Sequence, residues 1–287
     1  MSLAARDLSF RYPDASRWAL RSVDLEAPDG QVTCLVGATG SGKSTLLRAM
    51  AGLVAPTSGE ALVDGQATWE RRGPFGRARR RRDLPRHVGY VMQRPERQLF
   101  AETVEKDVAF GPVNLGLSEK EAAAAAGRAL DLLGIAPLAK RSPFELSGGQ
   151  QRLAAIAGVL AMGPANLVLD EPMAALDPEG RAIVRDAVAR LSCGSGAVLL
   201  VTHDMDDAAS LASGIFVMDE GSVALSGTPD EVFSQAEKLA RLGLGLPSAL
   251  AFAHRLKDGH GIDLGEPVTL DTLARAIALR SSSRKGA

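Results

Sequence analysis

Eight consecutive residues near the N-terminus constrain the fold of this chain more than any other stretch. They follow an apolar, β-branched run at 32–36, and a helical pattern at 45–51 follows them and ends at Gly52. A strand, a glycine-rich turn and a helix in this order are the context of the phosphate-binding motif G-x-x-x-x-G-K-[ST]. The motif consists of Gly37, Ala38, Thr39, Gly40, Ser41, Gly42, Lys43 and Ser44, and Thr45 continues into the helix.

The residue types of this loop predict how it binds a nucleotide. Glycines let the backbone curl so that its N–H groups point at phosphate oxygens, and the helix presents its positive N-terminal end to the same anion. Lys43 is expected to reach the β- and γ-phosphates, and the Ser44 hydroxyl is expected to bind Mg²⁺. The loop therefore predicts a site for a nucleoside triphosphate with Mg²⁺.

The pattern of the whole chain predicts an α/β fold. Short apolar strands alternate with amphipathic helices, which is typical of a mainly parallel core sheet covered on both faces. Residues 3–27 alternate as half-buried strands do, and the mostly helical stretch 100–160 interrupts the α/β alternation. We expect a main domain at 1–232 that contains a helical subdomain at about 94–162. A small helical C-terminal extension with a polar tail follows at 233–287.

Composition and charge argue against a strongly basic nucleic-acid-binding protein, a disulfide-stabilised protein and a membrane-spanning protein. The chain has 287 residues and a formal net charge of −1, so it has no overall attraction for nucleic acid or anionic lipid. Its two cysteines, Cys34 and Cys193, show neither metal-ligand spacing nor a disulfide framework, which fits a reducing cytoplasm. No run reaches the ~18 apolar residues of a membrane-spanning helix. We therefore expect any attachment to a membrane to come through a partner.

Two acidic residues directly follow an apolar strand pattern at 167–169. Because ligands bind at the carboxyl ends of strands in open α/β sheets, Asp170 is predicted to bind Mg²⁺ and Glu171 to act as general base for the attacking water. His203 follows another strand pattern, at 198–201. It is either an ordinary loop histidine or, if its strand lies next to that of Glu171, a catalytic residue that contacts the γ-phosphate and helps to position the water.

A second motif restricts the protein families that this nucleotide-binding chain can resemble. The run L-S-G-G-Q begins at Leu146 and leads into a helix whose free N–H groups would form an anion site capped by Ser147. With the phosphate loop, L-V-L-D-E-P at 167–172 and His203, this run makes residues 1–230 resemble the nucleotide-binding subunits of ABC transporters. The signature residues expected to bind nucleotide are Ser147, Gly148, Gly149 and Gln150.

The resemblance implies ATP as the nucleotide, ATP hydrolysis as the activity and a dimer in which the signature of one subunit contacts the γ-phosphate held by the other. It also implies an N-terminal antiparallel β subdomain and a helical subdomain that carries the signature. Asp177 lies in a segment, 174–178, that resembles the D-loop at the dimer interface. Gln93 matches the Q-loop glutamine, which binds Mg²⁺ and senses the membrane partner. Tyr12 matches the aromatic residue that stacks on adenine, and its alternative role is that of a half-buried strand residue.

The segment 93–112 is more specific than a generic Q-loop. It resembles the corresponding run of energy-coupling factor ATPases, including those of cobalt and nickel uptake. This resemblance implies a transmembrane scaffold protein and a substrate-binding membrane protein as partners, import of a vitamin or a transition-metal ion, and a peripheral position on the cytoplasmic face of the cell membrane. The dimer is a homodimer or a heterodimer with a paralogous ATPase. The alternatives are another ABC importer or an exporter, and a soluble ABC ATPase.

The apolar residues of this segment have two interpretations. In one, Leu99 and Phe100 line an exposed groove that accepts a helix of the scaffold protein. In the other, these two residues pack into the core of the subdomain together with Val104 and Phe110. We expect the first, in which Leu99 and Phe100 both stay exposed in the isolated subunit.

An arginine-rich stretch at 71–86 contains eight arginines. It is read either as a solvated loop or as a contact with anionic lipid headgroups. Phe75 is the only aromatic residue among these arginines, and the charge balance elsewhere is acidic, so no specific nucleic-acid partner is expected.

Overall fold

The computed structural model describes residues 2–71, 78–194 and 196–285. The strands are β1 (Leu3–Phe10), β2 (Leu20–Ala27), β3 (Val32–Gly37), β4 (Ser58–Val63), β5 (Gln66–Ala67), β6 (Trp69–Arg71), β7 (Ala78–Arg80), β8 (Val88–Val91), β9 (Asn166–Asp170), β10 (Val198–Val201), β11 (Gly214–Asp219) and β12 (Ser222–Gly227). The α-helices are α1 (Lys43–Met50), α2 (Leu84–His87), α3 (Val104–Asn114), α4 (Glu119–Leu132), α5 (Gly148–Ala161), α6 (Pro178–Ser192), α7 (Met205–Leu211), α8 (Pro229–Phe233), α9 (Ala236–Arg241), α10 (Ser248–His260) and α11 (Leu270–Lys285). Short 3₁₀ turns lie at 95–98, 136–138 and 143–145.

The core sheet has the strand order β12-β11-β3-β10-β9-β8, and only β12 is antiparallel to its neighbour. Every residue of β3, β9 and β10 is buried, as expected for strands covered on both faces. The order places the carboxyl ends of β8, β9 and β10 side by side, next to the loop that leaves β3. This confirms the predicted mainly parallel α/β sheet. The same strand order brings together the predicted site residues that follow these strands.

The N-terminal strands form a second, antiparallel sheet with the order β2-β1-β4-β5. Its apolar face packs together with α1 and one face of the core sheet in a buried cluster that includes Leu8, Leu25, Leu47 and Val201. The predicted antiparallel β subdomain is thus present, and it supports α1 and the phosphate loop from one side.

Three helices, α3, α4 and α5, pack on one another and form the helical subdomain. Both α4 and α5 begin with a capping box: Ser118 and Ser147 each accept a hydrogen bond from the third helical N–H, and Glu121 and Gln150 bond back to the cap residues. Each box lies within four consecutive residues, so the signal for these helix starts is local in the sequence.

The C-terminal helices pack against the rest of the chain. Phe233, Leu239 and Leu250 are fully buried and belong to the same apolar cluster as residues of the core sheet and the helical subdomain. The domain boundary at residue 232 stays a prediction, and these residues show that the two sides of it share a core.

The arginine-rich stretch lies only partly within the described chain, because residues 72–77 are outside it. Its described part forms the hairpin β6–β7, with Trp69 opposite Arg80, and then α2. Arg81 donates to Asp83 and to the carbonyl of Val63, whereas Arg79 and Arg82 are exposed.

In the described ranges, no helix combines the length and the apolar character that crossing a bilayer requires.

Candidate functional site

The phosphate loop has the backbone conformation that its glycines predict. Gly42, the N-cap of α1, has φ of 104°, and a Cβ atom on it would lie 2.6 Å from the carbonyl oxygen of Ala19. Glycine is therefore required there by both conformation and space. Lys43 is buried, and its Nζ donates to the carbonyl oxygens of Gly37 at 2.7 Å and Ala38 at 2.9 Å. Burial lowers the pKa of Lys43, and the nearby charges of Glu171 and Asp170 oppose that shift.

Glu171 lies between two of the predicted catalytic residues. Its Oε1 is 2.9 Å from Nε2 of His203 and 3.5 Å from Nε2 of Gln93. The three residues follow β9, β10 and β8, which are adjacent in the sheet, so neighbouring strand ends bring them together. Glu171 itself has φ of 52°, an uncommon left-handed conformation for a residue other than glycine, and such strain is frequent at functional sites.

Asp170 is almost fully buried at the end of β9. Burial raises the pKa of Asp170; a hydrogen bond from Ser44 opposes that shift, and the charge of Glu171 adds to it. The hydroxyl of Tyr90 lies 3.4 Å from Oδ2, whereas Oδ1 is buried and accepts no hydrogen bond from any described residue. A carboxylate oxygen without a partner beside a serine hydroxyl fits a hard cation such as Mg²⁺.

Tyr12 follows β1 rather than forming part of it, and 37% of its surface is exposed. Its hydroxyl lies 3.2 Å from Oγ1 of Thr45, and its ring meets Phe10 edge to face at 4.8 Å. One cleft is lined by this tyrosine, the phosphate loop and the residues around Glu171, namely Tyr12, Thr39, Gly40, Gly42, Lys43, Ser44, Thr45, Gln93, Glu171 and His203. The predicted nucleotide and catalytic residues therefore converge on one side of the molecule.

The signature residues line a different cleft. Ser147, Gly149, Gln150 and Asp177 lie together there, with Leu176 and Gly180 of the following segment. A Cβ atom on Gly148, the first residue of α5, would meet nothing within 4 Å, so the N-terminal end of this helix is open to solvent or to a partner. The predicted signature residues and the residues of the phosphate loop thus lie on two different clefts of one chain.

Comparisons with known proteins identify the family of this chain. The family model described as ABC transporter matches residues 20–174. The energy-coupling factor transporter ATP-binding protein EcfA2 of Symbiobacterium thermophilum is 45% identical over 94% of this chain and 92% of its own length. Its counterpart from Lactiplantibacillus plantarum is 45% identical over 96% of this chain and 94% of its own length. The chain belongs to the ABC transporter family, among its energy-coupling factor ATP-binding proteins.

Solved structures of the family share the fold. The structure of cbiO1 from Clostridium perfringens, part of the ABC transporter complex cbiONQ, has a TM-score of 0.70 and 35% identity over 84% of this chain and 94% of that chain. A dimeric ATP-binding cassette in a post-hydrolysis state, bound to ADP and Pi, has a TM-score of 0.68 and 25% identity over 79% of this chain and 98% of that chain. As a member of this family, the chain is an ATPase that binds ATP.

Sequence reasoning missed Arg152, which is the one charged residue within α5 and is 6% exposed. Its guanidinium donates to the carbonyl oxygens of Gln93 and Ala174, and its Nε lies 3.5 Å from a carboxylate oxygen of Glu96. The side chain thereby joins α5, which begins at the signature, to the segment that contains Gln93 and Glu96 and to the segment that contains Ala174. An arginine on the buried face of an otherwise uncharged helix was the available signal, because such a charge needs buried partners.

The expectation for Leu99 was wrong. Leu99 is only 8% exposed and belongs to the core cluster that also holds Val104, so it does not line a surface groove. Phe100 is 56% exposed, as predicted, and meets the half-exposed ring of Phe110 edge to face at 4.8 Å. Leu99 shares its buried cluster with residues of α3 and α5, whereas Phe100, the next residue, lies at the surface.

Proposed function

We propose that this chain is the ATP-hydrolysing subunit of an energy-coupling factor importer and powers uptake of a vitamin or a transition-metal ion. The contact of Glu171 with both Gln93 and His203 beside the phosphate loop carries this proposal. The signature on a separate cleft supports a head-to-tail dimer, in which Ser147 of one subunit faces the nucleotide held by the other. Both half-sites are intact, so a homodimer is chemically competent, as is a heterodimer with a paralogue.

In this mechanism, Tyr12 stacks on the adenine and Lys43 neutralises charge on the β- and γ-phosphates. A water oxygen attacks the γ-phosphorus while Glu171 accepts a proton from that water, and His203 contacts the γ-phosphate. The bond between the γ-phosphorus and the β–γ bridging oxygen breaks, which leaves ADP and inorganic phosphate. Ser44, Gln93 and Asp170 would hold Mg²⁺, which supplies positive charge to the phosphates when bound.

The partners follow from the exposed part of the Q-loop segment. We infer that Phe100 and Phe110 form an apolar patch on which the transmembrane scaffold protein docks. A substrate-binding membrane protein completes the importer, and the chain is held at the cytoplasmic face of the membrane by these contacts. In support, two aromatic rings about half exposed and in mutual contact form the kind of surface that marks an interaction site.

The dimer and the catalytic role are tested together with Glu171→Gln. This variant should bind ATP normally but hydrolyse it ~10²-fold or more slowly, which is the scale of a lost general base. Light scattering should then show a dimer with ATP and Mg²⁺, and the same variant with ADP serves as the control. A variant that hydrolyses ATP at the normal rate, or that stays monomeric with ATP, would contradict the composite site.

Docking is tested by co-purification with the membrane proteins after Phe100→Asp. The matched control is Phe252→Asp, because Phe252 is also about half exposed but lies on α10, in the C-terminal extension. Loss of the membrane proteins from the Phe100 variant alone supports docking at this patch. Equal retention by both variants refutes it.

A further inference from the structure

The helix that follows His203, α7, is anchored at its first turn. Asp204 is the N-cap of α7, and its Oδ1 accepts from the N–H groups of Asp206 at 2.9 Å and Asp207 at 3.2 Å. The N–H of Asp204 donates to Oγ1 of Thr202 at 3.0 Å. His203 therefore lies between two residues with defined contacts, and any movement of Asp204 moves its imidazole relative to Glu171.

Arg181 links this cap to the D-loop. It lies in the first turn of α6, where its N–H donates to the carbonyl oxygen of Asp177 at 2.9 Å. Its Nη2 donates to Oδ2 of Asp204 at 2.5 Å and to Oδ2 of Asp207 at 2.8 Å. One guanidinium thus joins α6, which begins at the D-loop, to α7, which begins after His203.

A second arginine shows which of these contacts is specific. Arg185, one turn further along α6, donates to Oδ1 of Asp207 at 3.1 Å and to Oγ of Ser210 at 2.6 Å. Asp207 is 1% exposed, so its carboxylate needs charged partners, and both arginines supply them. Of the two arginines only Arg181 reaches Asp204. Burial raises the pKa of Asp204, but the hydrogen bond from Arg181 opposes this effect, and the pKa of Asp204 lies below its usual value.

We propose that Arg181 is a positioning residue that transmits the position of the D-loop to His203. Charge-assisted hydrogen bonds of this kind are roughly twice as strong as neutral ones, so the D-loop helix and the cap of α7 move as one unit. When a second subunit packs on the D-loop, the linked α6 and α7 hold Nε2 of His203 in contact with Oε1 of Glu171, at the observed 2.9 Å. The proposal rests on the function proposed above, because it needs Glu171 and His203 in their catalytic roles.

Four full-length variants test it by steady-state ATP hydrolysis. Arg181→Met should lower kcat ~10- to 100-fold, as a displaced catalytic group does, while KM for ATP stays within about twofold. Arg181→Lys should recover part of this loss, because an ammonium still pairs with Asp204. Arg185→Met should keep kcat within about threefold, although it removes a partner of the same buried Asp207. His203→Ala measures the full effect of losing the positioned group.

One further measurement and one replacement variant make the test specific. The chain has four histidines, so the ring resonance of His203 can be assigned by NMR, and it should shift in the Arg181→Met variant but not in the Arg185→Met variant. If Arg181→Met does not fold, Asp204→Asn replaces it, because asparagine still caps α7 but loses the charge that pairs with Arg181.

The outcomes separate the two proposals. A normal kcat for Arg181→Met beside an inactive His203→Ala overturns the role of Arg181 alone. An equal loss for Arg181→Met and Arg185→Met also overturns it, since Asp207 and not Asp204 would then explain the effect. Normal hydrolysis by His203→Ala overturns the catalytic role of His203, and the inference about Arg181 falls with it.

Discussion

Leu99 and Phe100 are consecutive in the chain, and their truncation to alanine should have opposite consequences for stability and for assembly. Leu99 is 8% exposed in a cluster with Val91, Val104 and Leu146. Truncation of such a leucine leaves a cavity and lowers the free energy of unfolding by about 2–5 kcal/mol. At ~2–4 °C per kcal/mol for a chain of this size, the melting temperature of Leu99→Ala should fall by ~4–20 °C.

Phe100→Ala is the matched variant for this comparison. Phe100 is 56% exposed, and its main contact is the edge-to-face pair with Phe110, which contributes about 0.5–1.5 kcal/mol beyond area burial. Its melting temperature should therefore fall by at most ~6 °C, while association with the membrane proteins is lost.

The assay is thermal unfolding followed by circular dichroism without nucleotide, combined with co-purification of the membrane proteins. A Leu99→Ala variant that melts within ~2 °C of wild type, or a Phe100→Ala variant that is the less stable of the two, would contradict the burial assigned to these residues. A Phe100→Ala variant that is stable and still assembles would leave the burial argument intact but remove the docking role.

Further predictions concern the nucleotide site and one helix cap. Lys43→Ala should abolish hydrolysis and weaken ATP binding, because the charge that stabilises the transition state is lost; steady-state hydrolysis within about threefold of wild type would contradict this. Ser147→Arg should block the open end of α5 in trans, so mixing it with Lys43→Ala subunits should restore some hydrolysis, and mixed dimers without any recovery would argue against the head-to-tail arrangement. Tyr90→Phe should raise the Mg²⁺ concentration needed for tight nucleotide binding in calorimetry, since it removes the hydroxyl next to Asp170, and nucleotide affinity in EDTA should stay unchanged. Ser118→Ala should lower the free energy of unfolding by about 1 kcal/mol, measured by denaturant titration, because α4 loses its capping box.

Much of this protein could be predicted from the sequence because the relevant physics is local. The phosphate loop needs only contiguous residues: a strand, glycines that accept left-handed conformations, and the first turn of a helix. The capping boxes at Ser118 and Ser147 are likewise four-residue patterns. Buried parallel strands are recognisable by their continuous apolar composition, so the sequence also predicted the α/β fold class.

Contacts between distant segments required the tertiary structure. Gln93 and Glu171 are separated by 78 positions, and the order β8-β9-β10 brings them together. The sequence named both residues as candidates, but their contact depends on the strand order. Arg152 and Arg181 are further examples, because the carbonyls and carboxylates that they contact belong to other elements of the chain.

Leu99 and Phe100 show the limit most plainly. Both are apolar, adjacent and outside any periodic pattern, so the sequence by itself determined only that this segment follows the Q-loop and contains apolar residues. The packing of α3 and α5 decided that Leu99 is in the core and Phe100 at the surface. Burial depends on what other segments place next to a side chain, and the local sequence does not contain that information.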